Sequence, residues 1–503
     1  MSSLQTRNSV IAVKEETTEG TPVSPTAATD YVAQRPGFDM TPEFEQLAND
    51  EFKSNIGTSK GTLGIETPTV TFPQYLRHSG TEGQAPNYGL FLKSLFGEEK
   101  ILAEYDTVAG STTTVINVDT GEGANFSKGD AVLVKNPSGF EIRHVDSVAT
   151  DALTLNFALN NAPASLVNLG QSVNYKPKND SHPSLTIWNY VSNGGAIQMA
   201  SGVRATSGSF QATAGQNLEV NFDLEGNAFF FDPIEITATN KYVDWTDDDG
   251  TFAISLTERM YKDPHDVAEA IQTAMNASAS TEVYTVTYND IGTNKGKFTF
   301  DTATSTLFSL LWNTGTNAAN SIKTTIGFDD ADDTGATTYN SDNEIDLSAP
   351  QTPTYDDVGL LQGKNNELYI GDQDDNICVS ANSVQIDVTN TKVNVESVCE
   401  ESGVEGSIIS ERTVDITVSA KAEQYDADKF KRFRKNETTK LMYVFGSKSG
   451  GNWDAGKSGS IYVASATINS FDVTDENGVV YFEIGMQAFV PDDGSNEVFL
   501  GLV

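Results

Sequence analysis

Cysteine and histidine are scarce in this chain of 503 residues, which holds two of the first and four of the second. Cys378 and Cys399 cannot make a disulfide framework, and free thiols are the expectation. The histidines form no cluster with zinc-ligand spacing. Positive charge is also short: 32 Lys and Arg stand against 70 Asp and Glu, a formal net charge of −38. That balance argues against a protein that grips nucleic acid by neutralising phosphates, although an acidic protein can still work beside DNA. No run of about 18 apolar residues is present to span a bilayer. The N-terminal MSSLQTRNSVIAVKEETTEG lacks the apolar stretch of a secretory signal. Membrane insertion by this chain is therefore not expected.

Catalytic signatures are missing as well. GSKSG (446–450) has neither P-loop nor nucleophile-elbow spacing. GDQDDN (371–376), TDDDG (246–250) and DDADDTG (329–335) lack the spaced ligands of a calcium loop. His265 follows Pro264 at a helix start without a nucleophile beside it. These absences predict a non-enzymatic protein with no metal or cofactor.

What is present is β-rich. Apolar residues are 38% and charged residues only 20%, so Ser, Thr, Asn and Gln supply the polarity. Length and composition predict a mainly β chain of several domains. IETPTVTF (65–72) alternates, and APNYGLFLKSLFG (85–97) reads as a short amphipathic helix closed by Gly97. Between 100 and 179, TTTVINVD, GDAVLVK, EIRHVDSV and ALTLNFAL are short strands parted by Gly, Asp and Asn turns, a small all-β segment. Residues 240–349 read as α+β around the helix DPHDVAEAIQTAMNAS (263–278), whose Val267, Ile271, Ala274 and Met275 form a stripe. From 350 to 503 strands return, with one helix at 422–436 ending in basic residues.

The two ends of the chain resemble each other. VNFDLEGNAF (220–229) matches VYFEIGMQAF (480–489) without gaps, and ASGVRATSGSF (200–210) resembles ASATINSF (464–471). In the same order, Asp39-x-Thr41 matches Asp387-x-Thr389, and LKSLFG (92–97) matches LMYVFG (441–446). The pattern predicts two copies of one β fold, 1–99 with 180–239 and 350–503. Segment 100–179 is inserted in the first copy, and segment 240–349 lies between the copies.

On these residues the chain resembles the tail tube (major tail) proteins of long-tailed bacteriophages. SVIAVKEETTEGTPV resembles the start of many tube subunits, and the order strand, polar loop, strand, helix ending in Phe-Gly and closing strand pair is theirs. FSKGDAVLV resembles small β modules of phage virion proteins, and AIQTAMNAS with LLWNTGTNAANSIKTTIGF resembles another recurrent virion domain. The resemblance implies two β-sandwich or barrel domains and a structural role, with rings stacked into a hollow tube through which DNA passes. Family rings are usually six-fold, so a two-copy subunit implies a pseudo-six-fold ring of three chains. Implied partners are further copies of the chain, the tape measure, tail terminator and distal tail proteins, and DNA in transit. The implied location is the virion tail, after synthesis in the host cytoplasm.

Alternation offers candidates for the lumen wall: Asp39, Asp223, Glu225, Asp387, Asp415 and Glu483. Polar loops at 43–64 and 390–410 occupy equivalent places, and in the family this loop meets the next ring. Its candidates are Glu43, Phe44, Phe52, Lys53, Asn394, Glu396, Glu400 and Glu401. The rival reading is a virion decoration or host-surface protein binding glycans through Trp188, Trp245, Trp312 or Trp453. A glycan-degrading enzyme would need paired carboxylates in a cleft, and the sequence singles out no such pair. Large outward inserts would obstruct a sheath, favouring a non-contractile tail.

Overall fold

The computed structural model describes residues 5–503 except 52, 55, 181, 357, 373, 374, 379, 401, 422–426, 477 and 492; for 372, 375–378, 427–430 and 476 it describes the backbone alone. The chain is mainly β. It forms two compact units: residues 1–12, 187–200 and 228–352, and residues 13–186, 201–227 and 353–503.

The larger unit is organised by eight strands: β1 (Asp39–Thr41), β2 (Thr69–Tyr75), β3 (Ala196–Thr213, in this unit from Ser201), β4 (Glu219–Glu225), β5 (Ala381–Glu396), β6 (Val404–Lys421), β7 (Asn452–Glu476) and β8 (Val479–Ala488). All pairings are antiparallel, and they run β1-β2-β4-β3-β5-β6-β8-β7. In each half of that run the chain visits the strands in the order first, second, fourth, third. The halves are joined by β3 against β5, where Phe210 faces Ile386 and Ser209 faces Asp387.

Strict alternation explains why this sheet has one wet and one dry side, because successive side chains leave a strand on opposite faces. Val70, Phe72, Val220, Phe222, Leu224, Ile386, Val388, Ile416, Ile484 and Met486 are all buried. Against the first half lies α1 (Gly89–Phe96), closed by Gly97 at φ 101° with its N–H on the Lys93 carbonyl. Phe91 packs 4.7 Å from Phe72 and 5.5 Å from Phe222 between ring centroids. The helix comes so close to β3 that a Cβ on Gly208 would sit 2.3 Å from Leu95 Cδ2. Asn390 of β5 donates to the Leu95 carbonyl at 2.9 Å, satisfying a helix-end acceptor.

The first half of β7 carries the same sheet on to Thr439–Ser449 and Glu367–Asp372 on one side, and to Val498–Leu502, Ser172–Pro177 and Gly97–Leu102 on the other. The segment expected as a small β domain is a six-stranded sheet with a core of Ile116, Val132, Val134, Val145, Leu153 and Leu169. Its Leu133, Ile142 and Phe157 share a second core with Met442, Tyr462, Trp453 and Phe499. Where the chain enters and leaves it, Asp130, fully buried, takes Lys100 at 2.7 Å and Lys176 at 2.5 Å. His144 is buried with Nδ1 2.8 Å from the Gly129 carbonyl and Nε2 2.7 Å from Ser460 Oγ. Burial pushes its pKa down to about 4, so the neutral ring donates from Nδ1 and accepts from the hydroxyl.

The smaller unit carries α2 (Pro264–Asn276), capped by the Asp263 carboxylate accepting from Asp266 N, with Pro in the first turn. Val267, Ile271 and Met275 join Trp245, Trp312, Phe298 and Phe300 in its core. Asp247 accepts there from Trp245 Nε1 at 3.3 Å and Ser280 Oγ at 2.7 Å, and from the Tyr284 hydroxyl. The basic helix expected at 422–436 is α3, Ala427–Lys435.

Candidate functional site

The wet face of the eight-strand run concentrates patterned polar side chains. Residues directly opposite on neighbouring strands share a face. Asp39 faces Thr71, Thr71 faces Asp223, Asp223 faces Ser207, and Ser207 faces Thr389. One row along, Ser209 faces Asp387, Asp387 faces Asp415, Asp415 faces Gln487, and Gln487 faces Thr467. Two rows further, four residues along β6, Ser419 faces Glu483 and Glu483 faces Asp472. Glu225, opposite Thr69, stands two residues from Asp223 on the same side. All six acidic residues expected on a lumen wall therefore lie on one face of one sheet. The alternation missed Asp472, Gln487 and the Thr and Ser residues between them, because it marks a face and not which strands share it.

Hydroxyls and amides hold the carboxylates. Thr71 Oγ1 and Ser207 Oγ donate to Asp223, at 3.1 and 2.9 Å. Thr41 Oγ1 donates to Asp39 at 2.8 Å, and Gln385 Nε2 donates to Asp387 at 2.9 Å. Among the described residues, none of Asp39, Asp223, Asp387, Asp415 or Glu483 makes an ion pair. Asp387 and Asp415 face each other directly, an arrangement that costs stability. Cations stand elsewhere on the same face: Glu219 pairs with Arg35 at 2.6 Å, Glu225 stands opposite Arg204, and Lys421 continues the side of β6 that carries Asp415.

The expected loops differ from expectation. In the stretch 43–64 and its continuation the chain makes a hairpin of Phe44–Leu47 with Thr62–Glu66. The stretch 390–410 is not a loop: β5 and β6 pair on to Glu396 and Val404, because alternation at Val393, Asn394 and Val395 carries the strand outward. The two segments meet, with Glu66 N donating to the Ser402 carbonyl at 3.4 Å and Ile65 beside Gly403. Glu43, Phe44, Lys53, Glu396 and Glu400 are exposed, and Asn394 is half-buried. Phe52 and Glu401 lie outside the described residues. The sequence reading missed the exposed apolar side chains here: Leu47, Leu63, Val393, Val395, Val398 and Ile408.

Other candidates resolve differently. Trp188, Trp245, Trp312 and Trp453 are all buried, so none presents a ring to a glycan. Cys399 is free and exposed. Among the described residues no group of His, Cys, Asp and Glu is placed to hold a metal ion, and no helix is long and apolar enough to cross a membrane.

No family model and no curated protein matches the chain. Among solved structures, one similar chain belongs to the virion of a native gene transfer agent particle, at 16% identity and a TM-score of 0.17. The match covers 24% of this chain and 88% of that one. An overlap of that size does not define the fold.

Proposed function

We propose that the chain is a virion structural protein without enzymatic activity, which polymerises as stacked rings of three chains into the hollow tail tube that DNA traverses. The observation that carries the reading is the face shared by eight consecutive strands, on which Asp39, Asp223, Asp387, Asp415 and Glu483 stand without an ion pair among the described residues. A sheet with one dry and one charged face is what a wall needs. Three such faces edge to edge make a barrel of about 24 strands, which at ~4.8 Å per strand is about 37 Å across the backbone before tilt. That admits a duplex with clearance. Carboxylates repel phosphates only within about 8–10 Å of the wall at cellular salt, giving a non-stick surface rather than a barrier.

The strand order repeats between halves, first-second-fourth-third in each, which supports duplication of a tube domain and hence three chains rather than six. Rows Asp39–Thr71–Asp223 and Asp387–Asp415–Gln487 correspond. The ungapped sequence match pairs Asp223 with Glu483 instead, a slip of four residues along β8 that keeps the same face. The hairpin at 44–66 and the β5–β6 extension, with their exposed apolar side chains, would meet the next ring. In this reading 100–179 and 240–349 are inserts to a duplicated fold, and tape measure, terminator and distal tail proteins bind the tube's bore and ends. The buried tryptophans remove the chief support for glycan binding.

Cryo-electron microscopy of the concentrated protein and of virions tests this. Stacked rings of three chains with Asp223 and Asp415 facing the bore are expected. Rings of six chains would remove the duplication, and absence of any tube in both samples would overturn the function.

A further inference from the structure

We propose that Lys392 and Asn227 are a self-processing pair that joins into an intramolecular isopeptide bond, with the Glu19 carboxylate as proton relay. The proposal is independent of the tube reading.

The geometry is a clamped amide. Asn227 follows β4 and is 3% exposed. Its Oδ1 accepts from Lys392 Nζ at 2.9 Å, and its Nδ2 donates to Glu19 Oε1 at 3.1 Å. Lys392 Nζ also donates to the Gly226 carbonyl at 3.2 Å, and among the described residues it has no carboxylate within ion-pair distance. The backbone closes over the amide at Gly202, where a Cβ would lie 2.6 Å from Asn227 Nδ2. Glu19 is fixed in turn by Arg204 Nη2 at 2.6 Å and Ser407 Oγ at 2.5 Å. Nucleophile, electrophile and relay are thus held from three separate stretches of chain.

Burial, the largest influence, pushes the Lys392 ammonium down to about 8; Glu225 and Glu19 oppose the shift and Arg204 adds to it. At pH 7 about a tenth of the side chain is then a neutral amine. Held geometry of this kind substitutes for a high reactant concentration, by effective molarities on the order of 10⁵ M or more. In the reaction the Nζ lone pair attacks Asn227 Cγ, a Nζ–Cγ bond forms, and the Cγ–Nδ2 bond breaks. Once bonded to Cγ, Nζ shares that carbon with Nδ2, which Glu19 Oε1 already contacts at 3.1 Å; in this adduct Glu19 takes one Nζ proton and returns it to the departing nitrogen, which leaves as ammonia. Nothing is oxidised or reduced, and no co-reactant is needed. The product fastens the end of β4 to β5 across 165 residues of chain.

Intact-mass measurement and a tryptic map of the full-length protein test the pair. The expected result is a deficit of one ammonia, and a branched peptide linking Lys392 to residue 227. Lys392→Arg restores the full mass, and Glu19→Ala slows formation at least tenfold. A full mass with Lys392 and Asn227 in separate peptides after prolonged incubation overturns the proposal. So does a deficit that persists in Lys392→Arg, which would assign ammonia loss to ring closure elsewhere, such as Asn193-Gly194. The wild-type map decides the matter even if a variant fails to fold.

Discussion

Asp130→Ala should destabilise the larger unit by about 3–5 kcal/mol, the usual cost of stranding a buried charge. The Asp130 carboxylate is wholly enclosed and Lys176 is nearly so, at side-chain exposures of 0% and 6%. Ser127 N and Lys100 Nζ also donate to Asp130, each at 2.7 Å. Burial already holds the Lys176 pKa below its ordinary value against the pull of Asp130. Removing the carboxylate leaves that ammonium without its counter-charge where the β insert joins Gly97–Leu102 and Ser172–Pro177. Lys100 is one-quarter exposed and turns to water. Calorimetric melting should show the larger unit's transition falling by about 4–7 °C, at about 1.4 °C per kcal/mol for a unit of that size. Asp130→Ala with Lys176→Met should recover most of the loss, because no buried charge is then unpaired. A single-variant loss under 1 kcal/mol would refute the argument. So would a double variant as unstable as the sum of the singles.

Gly208→Val drives a side chain into Leu95 from a distance of 2.3 Å at Cβ and should cost about 1–3 kcal/mol in urea denaturation, with more if α1 is displaced. His144 has its folded pKa depressed from 6.5 to about 4, so the unfolded chain binds the proton first as pH falls. Its contribution is complete above pH 6.5 and is lost between 6.5 and 4, by about 3 kcal/mol in all. His144→Gln should lower stability at pH 7 yet flatten the slope of stability against pH in that window, read by urea midpoints. His78, buried and also depressed to about 4, should leave a residual slope of the same sign. Asp415→Asn relieves the facing Asp387–Asp415 pair and should raise stability by about 0.2–1 kcal/mol; in assembled tubes, replacing the face's acids with Asn should increase retention of duplex DNA at low salt.

Much of the fold is legible in residue order. Val220, Phe222 and Leu224 against Asn221, Asp223 and Glu225 specify a strand with one dry face, and Gly97 after LKSLF specifies a helix end. The Asp263-Pro264 start and apolar stripe of α2 are equally local. Thr, Asn and Glu at 389–396 have loop composition, yet pairing partners extend β5 and β6 outward through them. The same composition conceals the exposed Val393, Val395 and Ile408. A strand's ends depend on its neighbour's backbone groups as much as on its own side chains.

Alternation fixed which side of each strand is wet, and composition fixed the sign of that side's charge. Only tertiary structure decided that β3 lies against β5, so that acids from both halves form one surface. Side-chain period is two, so a register slip by four residues, such as the one separating the ungapped match from the observed rows, leaves every face unchanged while altering every neighbour. The sequence alone therefore determined the kind of surface this chain carries. Which residues stand side by side on it, and which Lys, Asn and Glu meet beneath it, came from long-range packing that no local pattern encodes.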